Sequence, residues 1–302
     1  MARRELQQKP ARPRPGETAD AVLRHHLAAQ WAVIAKREPQ AVRGSVEALH
    51  DIRVALRRMR SLAATFAVLD RKFLERLDRR ASKVCDRMGS ARDLDVWIEL
   101  FRGLVKAGGL DQVAQRERRA VLVLLRRERT RLAGGALACG TFRRTKKMLR
   151  EYLRKRRPAR RRPIPPPEAF VARRMLAVRK LIEERHRQAG NFSRDPAHDL
   201  RRAGRRMRYL SEFFAARMGR DSVRAGRWIT KAQAALGKVH DCDSALELSQ
   251  DLPSGTARAA VRRALRARRA AQLKKFKVAW RRYADRRLQK AWKARLEAAA
   301  AG

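Results

Sequence analysis

Acidic residues are scarce in this sequence. Its 302 residues include 30 Asp and Glu against 76 Lys and Arg, which gives a formal net charge of +46. Sixty of the basic residues are Arg and sixteen are Lys, and the planar guanidinium group offers paired donors to phosphate oxygens. The hydrophobic fraction of 44% excludes a wholly disordered basic chain. The imbalance therefore predicts a polyanionic partner, with phosphate as its favoured chemistry.

Cysteines and long hydrophobic runs are also few. Cys85, Cys139 and Cys242 are odd in number and lack any CxxC spacing, which excludes a disulfide framework and a zinc finger and predicts buried thiols in a reducing compartment. No apolar run approaches the roughly 18 residues that a membrane span needs. The N-terminus is basic and Pro-rich with no apolar stretch behind it. We therefore expect a cytoplasmic protein with no membrane span.

The pattern of apolar residues predicts an all-α protein. From residue 18 onward they recur at three-to-four spacing, and alternation with a period of two is close to absent. The predicted helices lie near residues 18–37, 40–69, 72–88, 93–107, 110–133, 140–157, 167–188, 195–218, 221–236, 242–251 and 254–296.

One break divides the chain. The segment RKRRPARRRPIPPPE at 154–168 contains five prolines within a charge run, and such a segment cannot continue a helix. The prediction has four parts in chain order. They are a disordered basic arm at 1–17, a first helical bundle at 18–157, a Pro-rich linker at 158–167 and a second helical bundle at 168–298.

The two halves contain nearly the same helix. LHDIRVALRRMRSL at 49–62 returns as AHDLRRAGRRMRYL at 197–210, an offset of 148 residues, and eight of the eleven positions from the shared histidine are identical. The same offset, without a gap, aligns Asp95 with Asp243. The repeat is therefore a unit of several helices, and it predicts tandem antiparallel bundles with a pseudo-twofold relation.

The repeated helix has a stripe of basic side chains beside an apolar face. On a helical wheel the basic residues of the first copy fall within an arc of about 80°. They are His50, Arg53, Arg57 and Arg60, and the second copy has His198, Arg201, Arg202, Arg205 and Arg208. Like charges spaced by four residues repel each other, so the stripe predicts an anion site that flanks the core. The alternatives are that acids of neighbouring helices neutralise the stripe, or that it faces water.

A second repeated motif follows one helix later, as MGSARDLDVWIEL and LGKVHDCDSALEL. Each copy has a glycine expected to end a helix and an aspartate expected to cap the next helix. These residues are Gly89 and Asp93 in the first copy and Gly237 and Asp241 in the second. The aspartate two residues later, Asp95 in the first copy and Asp243 in the second, is a candidate for orienting a histidine or arginine of the stripe.

The order and spacing of these four signatures resemble the CHAD family, a histidine-bearing all-α domain, over about residues 20–290. The resemblance implies two helical bundles related by pseudo-twofold symmetry, with a basic cavity between them that binds inorganic polyphosphate, often at polyphosphate granules. Members of the family are often fused to a CYTH triphosphatase domain with an ExExK motif. This sequence has no such motif, so the domain is expected to stand alone.

The resemblance also implies which residues bind polyphosphate. The matching positions are His50, Arg53, Arg57, Arg58 and Arg60 in the first half and His198, Arg201, Arg202, Arg205, Arg206 and Arg208 in the second. His26 on the first helix is a further candidate, although its repeat equivalent is Arg174. No cofactor, metal ligand or catalytic residue is expected.

Two other functions compete with this reading. Nucleic acid would also be attracted by the charge, but 6% aromatic residues and no interleaved basic and aromatic platform speak against base stacking. A metal-dependent phosphohydrolase is suggested by the His-Asp dipeptides that begin at His50, His198 and His240. Adjacent helical residues point about 100° apart, so such a dipeptide needs further ligands from other helices, and only six histidines exist. We therefore expect a binding protein and no enzyme.

Overall fold

This computed structural model describes residues 17–133, 137, 139–155, 165–252 and 255–301. The regular structure of these residues consists of helices. The described residues contain no β-strand, and the predicted all-α class is confirmed. The α-helices are α1 (Ala19–Val42), α2 (Val46–Thr65), α3 (Arg71–Arg87), α4 (Gly89–Lys106), α5 (Gln115–Ala133), α6 (Gly140–Arg154), α7 (Pro167–Ala189), α8 (Arg194–Phe214), α9 (Arg220–Leu248), α10 (Thr256–Tyr283) and α11 (Arg286–Ala301). Most of the predicted arm and linker, residues 1–16 and 158–164, lies outside the described residues.

Capping side chains set several helix bounds that the apolar pattern misplaced. The predicted helix at 40–69 begins at Val46, because the Ser45 hydroxyl accepts a hydrogen bond from the amide of Ala48 at 3.2 Å. The predicted long helix at 254–296 is two helices, α10 and α11. The Asp285 carboxylate, in the break between them, accepts a hydrogen bond from the amide of Leu288 at 2.9 Å.

Of the helix ends predicted in the second repeated motif, Gly89 directly follows the C-cap residue of α3, Met88, as expected, and the others are wrong. Gly237 and Asp241 both lie inside α9, which is continuous. In the first copy Gly89 is the first residue of α4 and Asp93 lies within that helix. A glycine inside a helix costs only about 1 kcal/mol relative to alanine, so the packed faces on either side of Gly237 keep the helix intact.

The helix bounds of the second half follow those of the first at the predicted offset. Shifted by 148 residues, α2 would span 194–213, and α8 spans Arg194–Phe214. The same shift relates α1 to α7, and α9 is the continuous counterpart of α3 and α4. These correspondences concern helix bounds along the sequence, and the pseudo-twofold relation of the two halves in space stays a prediction.

The helices pack as two units. The α2 unit comprises α2 to α6, most of α1, the end of α9 and the beginning of α10. The α8 unit comprises α7, α8, α11 and the remaining parts of α1, α9 and α10. Among the described residues, 238–252 and 255–272 belong to the α2 unit, whereas the sequence places them in the second bundle. The bundles at 18–157 and 168–298, which the sequence repeat predicts, stay a prediction.

The core of the α2 unit explains this grouping. Trp97 and Phe101 of α4 belong to one buried cluster with Leu125 of α5, Cys242 of α9 and Leu265 of α10. Both copies of the second repeated motif therefore contribute to the same apolar core.

The apolar faces of α2 and α8 are buried, each in its own unit, as the helical wheel predicts. On α2 these residues are Ile52, Ala55, Leu56, Met59 and Leu62, and on α8 they are Leu200, Ala203, Met207, Leu210 and Phe214. All three cysteines are buried and free, as expected of thiols that serve packing. Within the described ranges, no helix is long and apolar enough to cross a membrane.

Arg53 lies inside the α2 unit and not beside its core. Arg53 is 7% exposed, and its guanidinium donates hydrogen bonds to the carbonyl oxygens of Met88 at 3.1 Å and Gly89 at 3.4 Å. These carbonyls belong to the junction between α3 and α4. Burial, reinforced by the charge of Arg57, lowers the pKa of Arg53 to about 10. The expectation that the whole stripe flanks the core is wrong for this residue.

This arrangement makes the stability effects of two neighbouring stripe residues differ. We predict that Arg53→Ala lowers the free energy of unfolding by about 2 kcal/mol, because two inward-facing carbonyl groups lose their charged donor. Arg57→Ala, at a half-buried position, should change it by less than about 0.5 kcal/mol. Urea denaturation followed by circular dichroism measures both values. Equal midpoints for the two variants would contradict a structural role for Arg53.

Candidate anion-binding site

The aspartate of the His-Asp dipeptide ties each striped helix to the helix before it. In the α2 unit Asp51 pairs with Arg37 of α1 at 2.7 Å. In the α8 unit Asp199 pairs with Arg185 of α7 at 3.7 Å. The two arginines are themselves 148 residues apart, so the ion pair is repeated with the helix. The histidine lies one residue earlier, about 100° around the helix, on the side of the stripe.

The predicted site residues on α2 differ in how accessible they are. His50, Arg57 and Arg60 are partly exposed, whereas Arg53 and Arg58 are buried at 7% exposure. The Arg60 guanidinium pairs with Asp78 of α3 at 2.7 Å, so its charge is partly neutralised. The outer part of the stripe is therefore centred on Arg57.

His26 of α1 is also buried, at 5% exposure, and its ring meets the ring of His25 edge to face with centroids 5.3 Å apart. Its position is that of a core residue of the α2 unit. The sequence proposed it as a polyphosphate ligand, and that role stays a prediction.

Several cations act on one another around Arg57. Arg57 and Arg92 of α4 both lower the pKa of Arg53, while nearby Asp93 acts in the opposite direction. We call Arg53, Arg57 and Arg92 the α2 cluster. Burial raises the pKa of the neighbouring Cys85 thiol, and the stripe arginines oppose that rise. The cluster is a region of positive potential on a rigid helical frame.

The striped face of α8 is more open than that of α2. Arg202 and Arg206 are exposed, and His198, Arg201 and Arg205 are partly exposed. No candidate on α8 is buried as Arg53 and Arg58 are on α2. Acids also lie beside this stripe. Arg208 pairs with Glu212 at 3.4 Å, and Arg202 lies 4.0 Å from Asp199.

The basic residues of α8 and its neighbour α7 repel one another. Burial lowers the pKa of His198, and Arg201, Arg202 and Arg205 lower it further, against an opposing effect of Asp199. On α7, burial and then the charge of Arg206 lower the pKa of Arg174. We call these six basic residues the α8 cluster. It comprises Arg174, His198, Arg201, Arg202, Arg205 and Arg206.

Arg201 occupies the position in its half that Arg53 occupies in the first. Its Nε lies 3.8 Å from the point where a Cβ on Gly237 would stand, and Gly237 is the repeat equivalent of Gly89. In both units the first arginine of the stripe therefore points to the glycine of the second motif.

Two aspartates of the second motif, Asp95 and Asp243, form ion pairs with arginines of the following helix. Asp95 pairs with Arg129 of α5 at 3.0 Å, and Asp243 pairs with Arg269 of α10 at 2.6 Å. Arg129 also donates to the backbone oxygen of Gly44 at 3.0 Å. In these contacts the carboxylates anchor the next helix and do not orient a stripe residue.

Sequence reasoning missed Arg92 and named Arg174 only as the basic repeat equivalent of His26. A signal existed for each. At the offset of 148 residues Arg92 aligns with His240 and Arg174 aligns with His26, so a basic residue stands at both positions in both halves. The clusters are suited to binding several phosphate groups along a chain. Among the described residues, no group of three or more His, Cys, Asp or Glu side chains is placed to hold a metal ion.

Comparison with known proteins supports the resemblance seen in the sequence. Two solved structures are similar over nearly the whole chain. The crystal structure of the CHAD domain from the plant Ricinus communis is 24% identical with a TM-score of 0.61, covering 97% of this chain and 96% of that one. The structure of PptA from Streptomyces chartreusis is 18% identical with a TM-score of 0.59, covering 91% of this chain and 99% of that one. These identities show a shared fold. A comparison with curated protein sequences finds no match.

The family model of the CHAD domain matches residues 25–250, which include both striped helices and both copies of the second motif. Because this match spans well over half of the sequence, the chain belongs to the CHAD domain family.

Proposed function

We propose that the protein binds inorganic polyphosphate through the α2 and α8 clusters. The observation that carries the proposal is the α8 cluster, in which six basic residues of α7 and α8 lie close enough for their charges to act on one another. Burial is the larger cause of the lowered pKa values of His198 and Arg174, and the charges of neighbouring arginines lower them further. Cations that helix packing holds together repel one another, and a bound anion would reduce that repulsion. A polymer of phosphates supplies many negative charges at short spacing and needs no base-stacking surface.

The family and the overall charge support the same proposal. The chain belongs to the CHAD family, for which the sequence resemblance implies polyphosphate binding. The excess of 76 basic over 30 acidic residues means that most of the cations cannot be paired within the chain. The proposal includes localisation in the cytoplasm at polyphosphate granules.

Binding without catalysis is the second part of the proposal. Asp51 and Asp199, the acids of two His-Asp dipeptides, form ion pairs with arginines of the preceding helices. This role supports a contribution to helix packing. Neither a cofactor nor a catalytic residue enters the proposal.

The first test compares two pairs of arginines in the α8 unit. Arg202→Ala with Arg206→Ala should weaken binding of long-chain polyphosphate much more than Arg224→Ala with Arg227→Ala on α9. All four residues are exposed and each pair removes two positive charges, so only position differs. By the relation for single-stranded nucleic acid, roughly 0.7 per phosphate contact, the stripe pair should reduce the slope of log affinity against log salt by about 1.4.

Titration calorimetry at several salt concentrations measures both the affinity and the slope, and circular dichroism checks that both variants keep their helices. If the two folded variants lose affinity by the same factor, binding is a property of diffuse basic surface, and the stripes have no special role.

The second test uses the lowered pKa of His198. A bound polyanion would offset the positive charges of Arg201, Arg202 and Arg205, so it should raise the pKa of His198 from its value in the free protein, which lies below 6.5. Between these two values the complex holds more protons than the free protein. Affinity should therefore rise as pH falls from about 7.5 to about 5.5, by up to about tenfold per unit of pKa difference.

His198→Gln should show a flatter dependence over the same range, because the proton-binding group is gone. The comparison with the wild-type chain removes the titration of the polymer itself. Identical pH profiles for the two proteins would contradict a place for His198 in the site.

A further inference from the structure

A groove in the α8 unit is lined by residues that do not belong to the α8 cluster. It is formed by α7, the end of α10 and the beginning of α11, and it has a volume of about 380 Å³, within the roughly 300–1,000 Å³ of small-molecule sites. Its walls combine aromatic, basic and amide side chains. We call it the Trp280 groove, and its lining residues are Arg179, Glu183, Trp280, Tyr283, Ala284, Arg286, Gln289, Lys290 and Lys293.

The hydroxyl group of Tyr283 is the first sign of a missing ligand. Tyr283 is 1% exposed and lines the groove, yet its hydroxyl oxygen has no hydrogen-bond partner in the described part of the chain. Burial raises the pKa of this hydroxyl, the charge of Arg179 opposes the rise, and the charge of Glu183 adds to it. A buried hydroxyl without a partner is unfavourable, and a polar ligand group in the groove would satisfy it.

Polar side chains that line the groove are already held in place. Arg179 donates to the amide oxygen of Gln289 at 2.8 Å and pairs with Glu183 at 2.9 Å. The amide nitrogen of Gln289 donates to the backbone oxygen of Tyr283 at 2.6 Å. A ligand would therefore meet a floor that needs little ordering, which favours binding.

One wall of the groove is a supported aromatic ring. The indole of Trp280 is stacked on the imidazole of His186, with centroids 3.9 Å apart and planes 9° from parallel. Tyr283 packs against Trp280 at 5.3 Å. Trp280 remains partly exposed in the groove, so it offers a fixed surface on which a planar ring can stack.

The rim of the groove is basic. Arg286, Lys290 and Lys293 of α11 are exposed there, and Lys293 also lies 3.5 Å from Glu297. With Arg179 balanced by Glu183, the rim gives the groove a net positive charge. The groove thus presents a ring-stacking wall, an unsatisfied hydroxyl and an anion-binding edge within one small volume.

We propose that the Trp280 groove binds a nucleoside phosphate. The base stacks on Trp280, a polar group of the sugar or base bonds to the Tyr283 hydroxyl, and the phosphates contact Arg286 and Lys290. Inorganic phosphate chains would use the rim alone, since they have no ring to stack. The site is separate from the α2 and α8 clusters, and the proposal does not depend on polyphosphate binding.

Calorimetric titration of the full chain with ADP and with inorganic diphosphate tests the proposal. ADP should bind at least about fivefold more tightly, because only ADP has a base to stack. Tyr283→Phe should weaken ADP binding by about three- to tenfold and leave diphosphate binding unchanged. Tyr152→Phe, the same substitution in the α2 unit, is the matched control and should change neither.

The charge contribution has its own matched pair. Arg286→Ala with Lys290→Ala should weaken ADP binding about tenfold or more, and Arg287→Ala with Lys274→Ala, which removes one arginine and one lysine at exposed positions outside the groove, should not. Polyphosphate binding should survive Tyr283→Phe, so failure here leaves the proposed function standing.

Thermal unfolding without ligand completes the test. Because the Tyr283 hydroxyl has no partner, Tyr283→Phe should keep or raise the melting temperature. A clear loss of stability would show that the hydroxyl is satisfied within the fold, and it would overturn the proposal. Equal affinities for ADP and diphosphate, with neither affected by Tyr283→Phe, would overturn it as well.

Discussion

Burial of one apolar face on each striped helix is the interaction on which the rest of the structure depends. Residues such as Ile52 and Met59 on α2, and Leu200 and Met207 on α8, are at most 2% exposed, and this packing fixes the rotation of each helix about its axis. The basic residues lie at fixed angles from the buried ones. Once the apolar face is packed, the basic side chains leave each helix within one arc, and a bound anion would reduce the repulsion between them.

The scarcity of acids gives the few aspartates of the α2 and α8 units defined tasks. Asp51 and Asp199 connect each striped helix to its predecessor, and Asp95 and Asp243 anchor the helices that follow the second motif. Carboxylates used in this way hold the frame and leave the centre of each stripe basic. Arg60 and Arg208, at the ends of the stripes, pair with Asp78 and Glu212.

The two copies of the striped helix have diverged in how they use the same residues. Arg53 is buried and bonds to backbone oxygens at the junction of α3 and α4, whereas its counterpart Arg201 is partly exposed. Arg58 is buried as well, and its counterpart Arg206 is exposed. A break between α3 and α4 creates acceptors for Arg53, and the corresponding stretch of α9 is continuous. One copy therefore combines a structural arginine with an anion site, and the other is the more open cluster.

Sequence periodicity predicted the helices, the buried faces and the repeated stripe, because these depend on spacing within one helix. It failed where the outcome depends on contacts between helices. Asp241 reads as a cap locally but lies inside α9, and the basic residues Arg92 and Arg174 join their clusters from other helices. The Trp280 groove could not be predicted either, since α7 and α11 are separated by about a hundred residues of sequence.

Clusters of cations fixed on helices should favour a bare phosphate polymer over other polyanions. Competition between long-chain polyphosphate and single-stranded DNA for the full chain, at one salt concentration and with both polymers counted by phosphate, measures this preference directly. We expect polyphosphate to displace DNA at a lower phosphate concentration than DNA needs to displace polyphosphate. The charges of polyphosphate are closer together than those of DNA, and the stripes contain no base-stacking platform. Displacement at equal concentrations, or a preference for DNA, would contradict it.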